Sequence, residues 1–194
     1  MEKISYALGL SLGNNLLGSG ISAINAEKLA KGILDVLNKN EPEMGLEEAQ
    51  AIITDYFDSL QANLSEKGIS EGNAFLEANA TREEVVTLPS GLQYEILTAG
   101  TGAIPTASDT VKVHYHGTTI DGKVFDSSVN RGEPTSFGVT QVISGWVEAL
   151  QLMPVGSKWK LVIPSDLAYG AQGAGQAIAP HTTLIFEVEL LDIV

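Results

Sequence analysis

The hydrophobic period of this chain changes once, and the change falls at Pro89-Ser90-Gly91. Before it, apolar residues recur every three to four positions; after it, they alternate. A 3.6-residue period buries one stripe of a helix, whereas a 2-residue period buries one face of a strand. The chain is therefore expected to be helical first and a sheet afterwards.

In the first half, Ile4, Leu8, Leu12 and Leu16 repeat at i+4. Gly9 and Gly13 share another face of that helix, small enough to admit a second helix. Gly18-Ser19-Gly20 ends it. Asn25 is placed to cap a second helix with Leu29, Ile33 and Leu37 on one face. The stretch from Asn38 to Gly45, with Pro42 inside, closes that element. From Leu46 the helical pattern resumes through Ala49, Ile52, Ile53, Tyr56, Phe57, Leu60 and Leu64, and returns weakly at Phe75, Leu76 and Ala78. Gly68 and Gly72 each weaken a helix by about 1 kcal/mol relative to Ala. A helix unbroken to Glu83 rises about 57 Å, more than the diameter of a 100-residue domain. It is expected to be a stalk, or to break near Gly68.

The first 40 residues offer too little core to stand alone. There is no cysteine, and no histidine precedes residue 114, so disulfide and metal staples are excluded there. A partner chain is the remaining support, and a homodimer of paired helices is expected.

In the second half, Leu92, Tyr94 and Ile96 alternate, as do Val111, Val113 and Tyr115, then Trp159, Leu161 and Ile163, then Leu184, Phe186, Val188 and Leu190. Such alternation belongs to antiparallel strands with one buried face. Between the second and third runs, Ile143 to Leu152 reads as one short helix. The fold class is α+β: a helical region over 1–44, a long linking helix over 45–87, and an antiparallel sheet wrapped on one short helix over 88–194.

The net charge is −13, distributed as −8 over 1–87 and −5 over 88–194. Nucleic-acid and anionic-membrane surfaces need basic patches, so both partners are excluded as expectations. The N-terminus shows no basic segment followed by an apolar one, and no stretch reaches a bilayer-spanning length, so a cytoplasmic location is expected (periplasmic if a leader has been removed). No glycine-rich phosphate loop follows a strand, and no G-x-S-x-G elbow is present. His114 and His116 have the spacing of two metal ligands on one strand face. With no Asp, Glu or Cys beside them in sequence they read as a solvated pair, and no metal or cofactor is expected. Asp126 follows Phe125 and Glu187 follows Phe186. A lone carboxylate among aromatics suits orientation and polarisation better than proton transfer, so an apolar ligand pocket without a nucleophile is expected.

Five blocks carry a family resemblance: Val113-His114-Tyr115-His116-Gly117; Asp121-Gly122-Lys123-Val124-Phe125-Asp126-Ser127-Ser128; Val142-Ile143-Ser144-Gly145-Trp146; Met153-Pro154-Val155-Gly156; and Ile163-Pro164 with Leu167-Ala168-Tyr169-Gly170. The ending Pro180 to Leu190 completes the set. In this order they resemble the FK506-binding-protein type of peptidyl-prolyl isomerase. Ser5-Tyr6-Ala7-Leu8-Gly9-Leu10 and Phe75-Leu76-Glu77-Ala78-Asn79-Ala80 are similar to its dimeric bacterial branch, which includes the macrophage infectivity potentiator proteins.

The resemblance implies cis/trans isomerisation of X-Pro bonds during protein folding, with chaperone-like handling of unfolded chains. FK506-like macrolides are the implied inhibitors. It implies a pocket floored by Trp146, walled by Tyr115, Phe125, Val142, Ile143, Ile178 and Phe186, and backed by Phe137. Asp126 is implied at the polar edge, paired with Arg131 and near the Tyr115 hydroxyl. Tyr169 and the Ile143 N–H are implied donors to substrate carbonyls. Thr135 and the loop residues Ala174, Ala177 and Ala179 depart from the family pattern at positions expected over the pocket. The alternative is a dimeric module that binds proline segments without isomerising them.

Overall fold

The computed structural model describes all residues from Met1 to Val194. They form two compact units, Met1–Asn63 and Leu64–Val194.

The first unit holds α1 (Glu2–Gly18), α2 (Ala26–Asn38) and the beginning of α3 (Leu46–Ala80). The Asn25 side chain caps α2 by accepting from Lys28 N at 3.0 Å. Neither short helix makes a core. No residue of α1 is buried, and Asp35 is the only buried residue of α2. Asp35 accepts from Lys31 Nζ at 2.7 Å and Asn40 Nδ2 at 3.2 Å. Apolar side chains stay in solvent instead: Leu8 is 64% exposed, Val36 74% and Leu37 71%. Ile33, Val36, Leu37, Met44, Ile52 and Ile53 line an open groove of about 630 Å³.

Helix α3 is continuous through Gly68 and Gly72, so the expected alternative of a break is not realised. It ends at Ala80, earlier than the linking helix expected to residue 87. Residues Val85–Thr87 form a strand instead, β1, which pairs antiparallel with β2 (Gln93–Thr98). The last turns of α3 belong to the second unit, where buried polar bonds join them to β2. Asn79 Nδ2 donates to Gln93 Oε1 at 2.8 Å, and Gln93 Nε2 donates to the Leu76 carbonyl at 2.9 Å. Arg82 pairs with Glu95 on the same strand at 2.8 Å.

The sheet has seven strands. Besides β1 and β2 they are β3 (Thr110–Thr119), β4 (Val124–Ser127), β5 (Thr135–Gly138), β6 (Lys158–Ile163) and β7 (Leu184–Ile193). The order is β1-β2-β6-β7-β3-β4, with β5 also pairing β3. All pairings are antiparallel. In β3, β6 and β7 the alternation read from the sequence marks the buried face: Val111, Val113, Leu161, Ile163, Leu184 and Val188 are at most 1% exposed; β2 departs from it, since Ile96 is 50% exposed. The short helix is α5 (Ser144–Leu150), whose Trp146, Ala149 and Leu150 pack into that face. A one-turn helix, α4 (Ser128–Arg131), follows β4 and is capped by Ser127 Oγ accepting from Asn130 N at 3.1 Å.

An aromatic cleft with an ion-paired edge

Strands β3, β4, β5 and β7 and helix α5 each send an aromatic ring to one place. Tyr115 is the last apolar residue of the β3 alternation, Phe125 lies in β4, Phe137 in β5, Phe186 in β7 and Trp146 in the first turn of α5. The rings meet edge to face. Trp146 lies 5.3 Å from Phe186 at 82° and 5.5 Å from Tyr115 at 83°, and Phe125 lies 5.4 Å from Phe186 at 85°. Such pairs gain from the ring quadrupole beyond their buried area. Gly117 makes the Phe125–Phe186 contact possible, because a Cβ there would sit 2.7 Å from an atom of each ring.

Together with Asp126, Gln141, Val142, Ile143 and Tyr169 these rings line a cleft of about 460 Å³. Trp146 is 4% exposed, and its indole N–H is buried with no hydrogen-bond partner. The Ile143 N–H precedes α5 and donates to no protein acceptor, although the Ile143 carbonyl accepts from Trp146 N at 2.9 Å and Val147 N at 3.1 Å.

The polar edge is a triangle. The Tyr115 hydroxyl donates to Asp126 Oδ2 at 2.6 Å. Arg131 Nη2 donates to the Tyr115 hydroxyl at 2.8 Å, and Arg131 Nη1 donates to Asp126 Oδ1. The guanidinium also lies over the Tyr115 ring, 5.5 Å from its centroid. Burial is the strongest single influence on Asp126 and opposes its ionisation. The Tyr115 hydroxyl and the Arg131 guanidinium together outweigh it and hold the carboxyl below its ordinary range. Tyr115 is pushed the other way, first by burial and then by its bond to Asp126, so its phenol stays protonated. The edge is thus a fixed carboxylate with a fixed proton donor, with neither group poised to exchange protons near neutrality.

Of the residues expected at the pocket, Tyr115, Phe125, Asp126, Phe137, Val142, Ile143, Trp146, Tyr169 and Phe186 line the cleft. Arg131 does not line it and reaches it through Tyr115 and Asp126. Ile178 is not among the cleft-lining residues; it is 5% exposed, as Tyr115 and Phe186 are, and its backbone bridges Ala174 in both directions. The loop departures are also displaced from the expected position. Ala177 and Ala179 line a neighbouring groove of about 350 Å³ with Lys67 and Gly68 of α3. Ala174 packs against the core, and Thr135 pairs with Val113, so none of the four lines the cleft. Gln141 is a cleft residue that the sequence does not announce. It is a polar residue in a 3₁₀ turn (Val139–Gln141) and carries no periodic signal.

The histidine pair is not simply solvated. His114 Nδ1 lies 3.1 Å from Ser128 Oγ, and His116 Nδ1 lies 2.9 Å from Ser127 Oγ. The expectation that no acid adjoins them fails in three dimensions, because the register sets Glu189 opposite His114 and Glu187 opposite His116. Glu187 is engaged by Lys158 at 2.8 Å, and no three ligand-bearing side chains gather into a metal-holding group.

Comparison with known proteins agrees with this geometry. Residues 102–191 match the family of FKBP-type peptidyl-prolyl cis-trans isomerases, and residues 1–96 match the domain amino-terminal to FKBP-type peptidyl-prolyl isomerase. The chain is 48% identical over 192 residues to the FKBP-type 22 kDa peptidyl-prolyl cis-trans isomerase of Escherichia coli K12, covering 97% of this chain and 93% of that one. It is 45% identical over 199 residues to the outer membrane protein MIP of Legionella longbeachae, covering 99% and 85% respectively. The crystal structure of FkpA from Escherichia coli matches with a TM-score of 0.77 at 37% identity, over 98% of this chain and 95% of that one. One of these relatives is named an outer membrane protein and the others name no compartment, so the comparisons do not support the cytoplasmic expectation. No helix here is long and apolar enough to cross a membrane. On its fold, its cleft and these matches over nearly its whole length, the chain belongs to the FKBP-type peptidyl-prolyl cis-trans isomerases.

Proposed function

We propose that the aromatic cleft is where this isomerase rotates X-Pro bonds, and that Tyr115, Phe125, Asp126, Phe137, Val142, Ile143, Trp146, Tyr169 and Phe186 form its working surface. The observation that carries the reading is the meeting of two environments in one cleft. A dry floor of Trp146, Phe186 and Phe137 lies beside the Tyr115–Asp126–Arg131 triangle and the unpaired Ile143 N–H.

The chemistry follows from the barrier. Amide resonance opposes rotation by about 18–20 kcal/mol, and a proline nitrogen leaves the cis and trans forms close in energy. The planar amide is more dipolar than the twisted one, so removing it from water favours the twisted form. The proline ring seats over Trp146, among the Tyr115, Phe125 and Phe186 rings. The carbonyl before it turns toward the carboxylate edge, while the Ile143 N–H and the Tyr169 hydroxyl hold flanking carbonyls. Preorganised groups of this kind stabilise the transition state without reorganising when it forms. Asp126 acts by field and orientation. Arg131 is a positioning residue that keeps Asp126 and Tyr115 in register. FK506-like macrolides are expected to compete for the same cleft.

The same reading takes the protein as a homodimer. The apolar surfaces of α1 and α2 stay exposed in one copy, and a set of four paired helices can bury them. Residues 1–44 then serve dimerisation, the part of α3 before Leu64 links, and 64–194 form the isomerising unit. Two clefts on one particle raise avidity for a long unfolded chain, which supports chaperone-like handling of proline-containing clients. A protease-free isomerisation assay on a short X-Pro peptide tests the cleft. Acceleration inhibited by FK506 is expected. A folded protein without acceleration would leave the proline-binding module as the surviving reading.

A further inference from the structure

Tyr169 stands at the start of a flap whose base rests on α3. From Tyr169 the chain passes through a 3₁₀ turn (Gly170–Gln172), folds back through the Ala174–Ile178 bridge, and returns to β7. The flap is closed at its base by His181 N donating to the Gly170 carbonyl at 2.8 Å. His181 lies in the left-handed region at φ 53°, a conformation uncommon outside glycine that Asn, Asp and His adopt most readily.

On the outer side, α3 packs closely against residues 180–183. A Cβ on Gly68 would lie 2.5 Å from the Pro180 carbonyl oxygen and 3.1 Å from the His181 carbonyl carbon. A Cβ on Gly72, one turn on, would lie 2.5 Å from Thr183 Oγ1. Thr183 is 3% exposed and sits at this contact between two small grooves. Two glycines inside a helix are a standing cost in helix propensity, and close packing against this loop is what they permit. By contrast, Gly9, Gly13 and Gly32 meet nothing within 4 Å.

We propose that Gly68 and Gly72 are positioning residues for catalysis: they seat α3 against the base of the flap and thereby set where Tyr169 meets the substrate. A methyl group at either position displaces 180–183, the shift passes through the His181–Gly170 bond, and Tyr169 moves off its carbonyl. Small misplacements of a binding group carry disproportionate losses. The proposal rests on the reading of Tyr169 as a donor in the cleft.

The test uses the full chain with Gly68→Ala, Gly72→Ala, Thr183→Ala, Tyr169→Phe, and the doubles Gly72→Ala/Thr183→Ala and Gly68→Ala/Tyr169→Phe. Exchange NMR on a short X-Pro peptide reads kcat and KM, and thermal melts read folding. Each glycine variant is expected to lose about fivefold in kcat/KM, carried by KM. Thr183→Ala removes the atom that a methyl group at position 72 would strike, so that double should return to the Thr183→Ala rate. In the Tyr169→Phe background, Gly68→Ala should cost nothing further. Should Gly68→Ala fail to fold, the Gly72/Thr183 pair decides alone. Glycine variants that melt higher, as better helices should, yet isomerise at the parental rate would overturn the proposal. So would a loss that Thr183→Ala does not relieve, or one that persists undiminished beside Tyr169→Phe. The two readings separate cleanly. If Tyr169→Phe is slow and the glycine variants are not, only the brace is wrong; if Tyr169→Phe keeps the parental rate, the role of Tyr169 fails and the brace falls with it.

Discussion

The Tyr115 hydroxyl donates to Asp126 Oδ2 at 2.6 Å, and Arg131 Nη2 donates to the same hydroxyl at 2.8 Å. The phenol is thereby both donor and acceptor, and its ring remains free to wall the cleft. Asp126→Ala removes the carboxylate while leaving every ring contact in place. Peptide isomerisation is expected to fall about tenfold, or about 1.4 kcal/mol in the barrier. Melting should change little, since the Asp126 and Arg131 side chains are 45% and 49% exposed and such pairs add at most about 1 kcal/mol. Equal activity in this variant would remove Asp126 from the mechanism.

The pH dependence follows from the direction of two shifts. Asp126 is held below its ordinary 3.8, so it is ionised at neutral pH. The stabilisation it gives is present above its unfolded pKa and is lost only as pH falls through the lower folded value. Tyr115 is pushed above 10.0 and keeps its proton. Turnover measured between about pH 5 and 9 should be flat. A bell-shaped profile that loses its acid limb in Asp126→Asn would instead make Asp126 a general base.

Divalent metal should not matter. His114 and His116 are each bonded to a serine, and Glu187 is held by Lys158. Isomerisation in excess chelator is expected to equal that in buffer, and zinc titration should show no stoichiometric site at micromolar concentration. A tight one-to-one zinc isotherm lost in His114→Ala would contradict this.

The end of α3 is part of the isomerase unit, and truncations should show it. Cutting at residue 87 removes β1 and leaves Gln93, 3% exposed, without Asn79 and the Leu76 carbonyl. Each hydrogen bond lost in this way gives up about 0.5–1.5 kcal/mol, and the β1 pairing and α3 packing go with them. A chain of residues 64–194 is therefore expected to melt several degrees above one of residues 88–194. Both should sediment as monomers, while the full chain sediments as a dimer. Equal melting of the two fragments would separate α3 from the unit, and a monomeric full chain at micromolar concentration would end the dimer reading. On a refolding protein substrate the 64–194 fragment should lose more than it does on peptides.

Much of this is legible in the sequence because burial imposes a period. The run Val111, Val113, Tyr115 and the run Leu184, Phe186, Val188, Leu190 declare their inner faces without reference to any partner. Strands β4 and β5 have only four residues each, too few to show a period, and exist because β3 offers them an edge. Gln141 lacks any periodic mark because its place on the cleft is set by a turn. Ile178 stands in a loop with no period to place it, and its backbone is fixed by the bridge to Ala174. Gly68 and Gly72 look like helix breakers by propensity alone. Their cost of about 1 kcal/mol each is overridden by packing against 180–183, which no local pattern reveals.

The proposal that one cleft, floored by Trp146 and edged by Asp126, performs the isomerisation is what most needs measuring. The direct measurement is exchange NMR of a short X-Pro peptide with the full chain, with Asp126→Ala, and with FK506 added. Rapid exchange that FK506 abolishes and Asp126→Ala slows about tenfold is the predicted result. Exchange at the uncatalysed rate with a folded protein, or catalysis indifferent to both FK506 and Asp126→Ala, would contradict it.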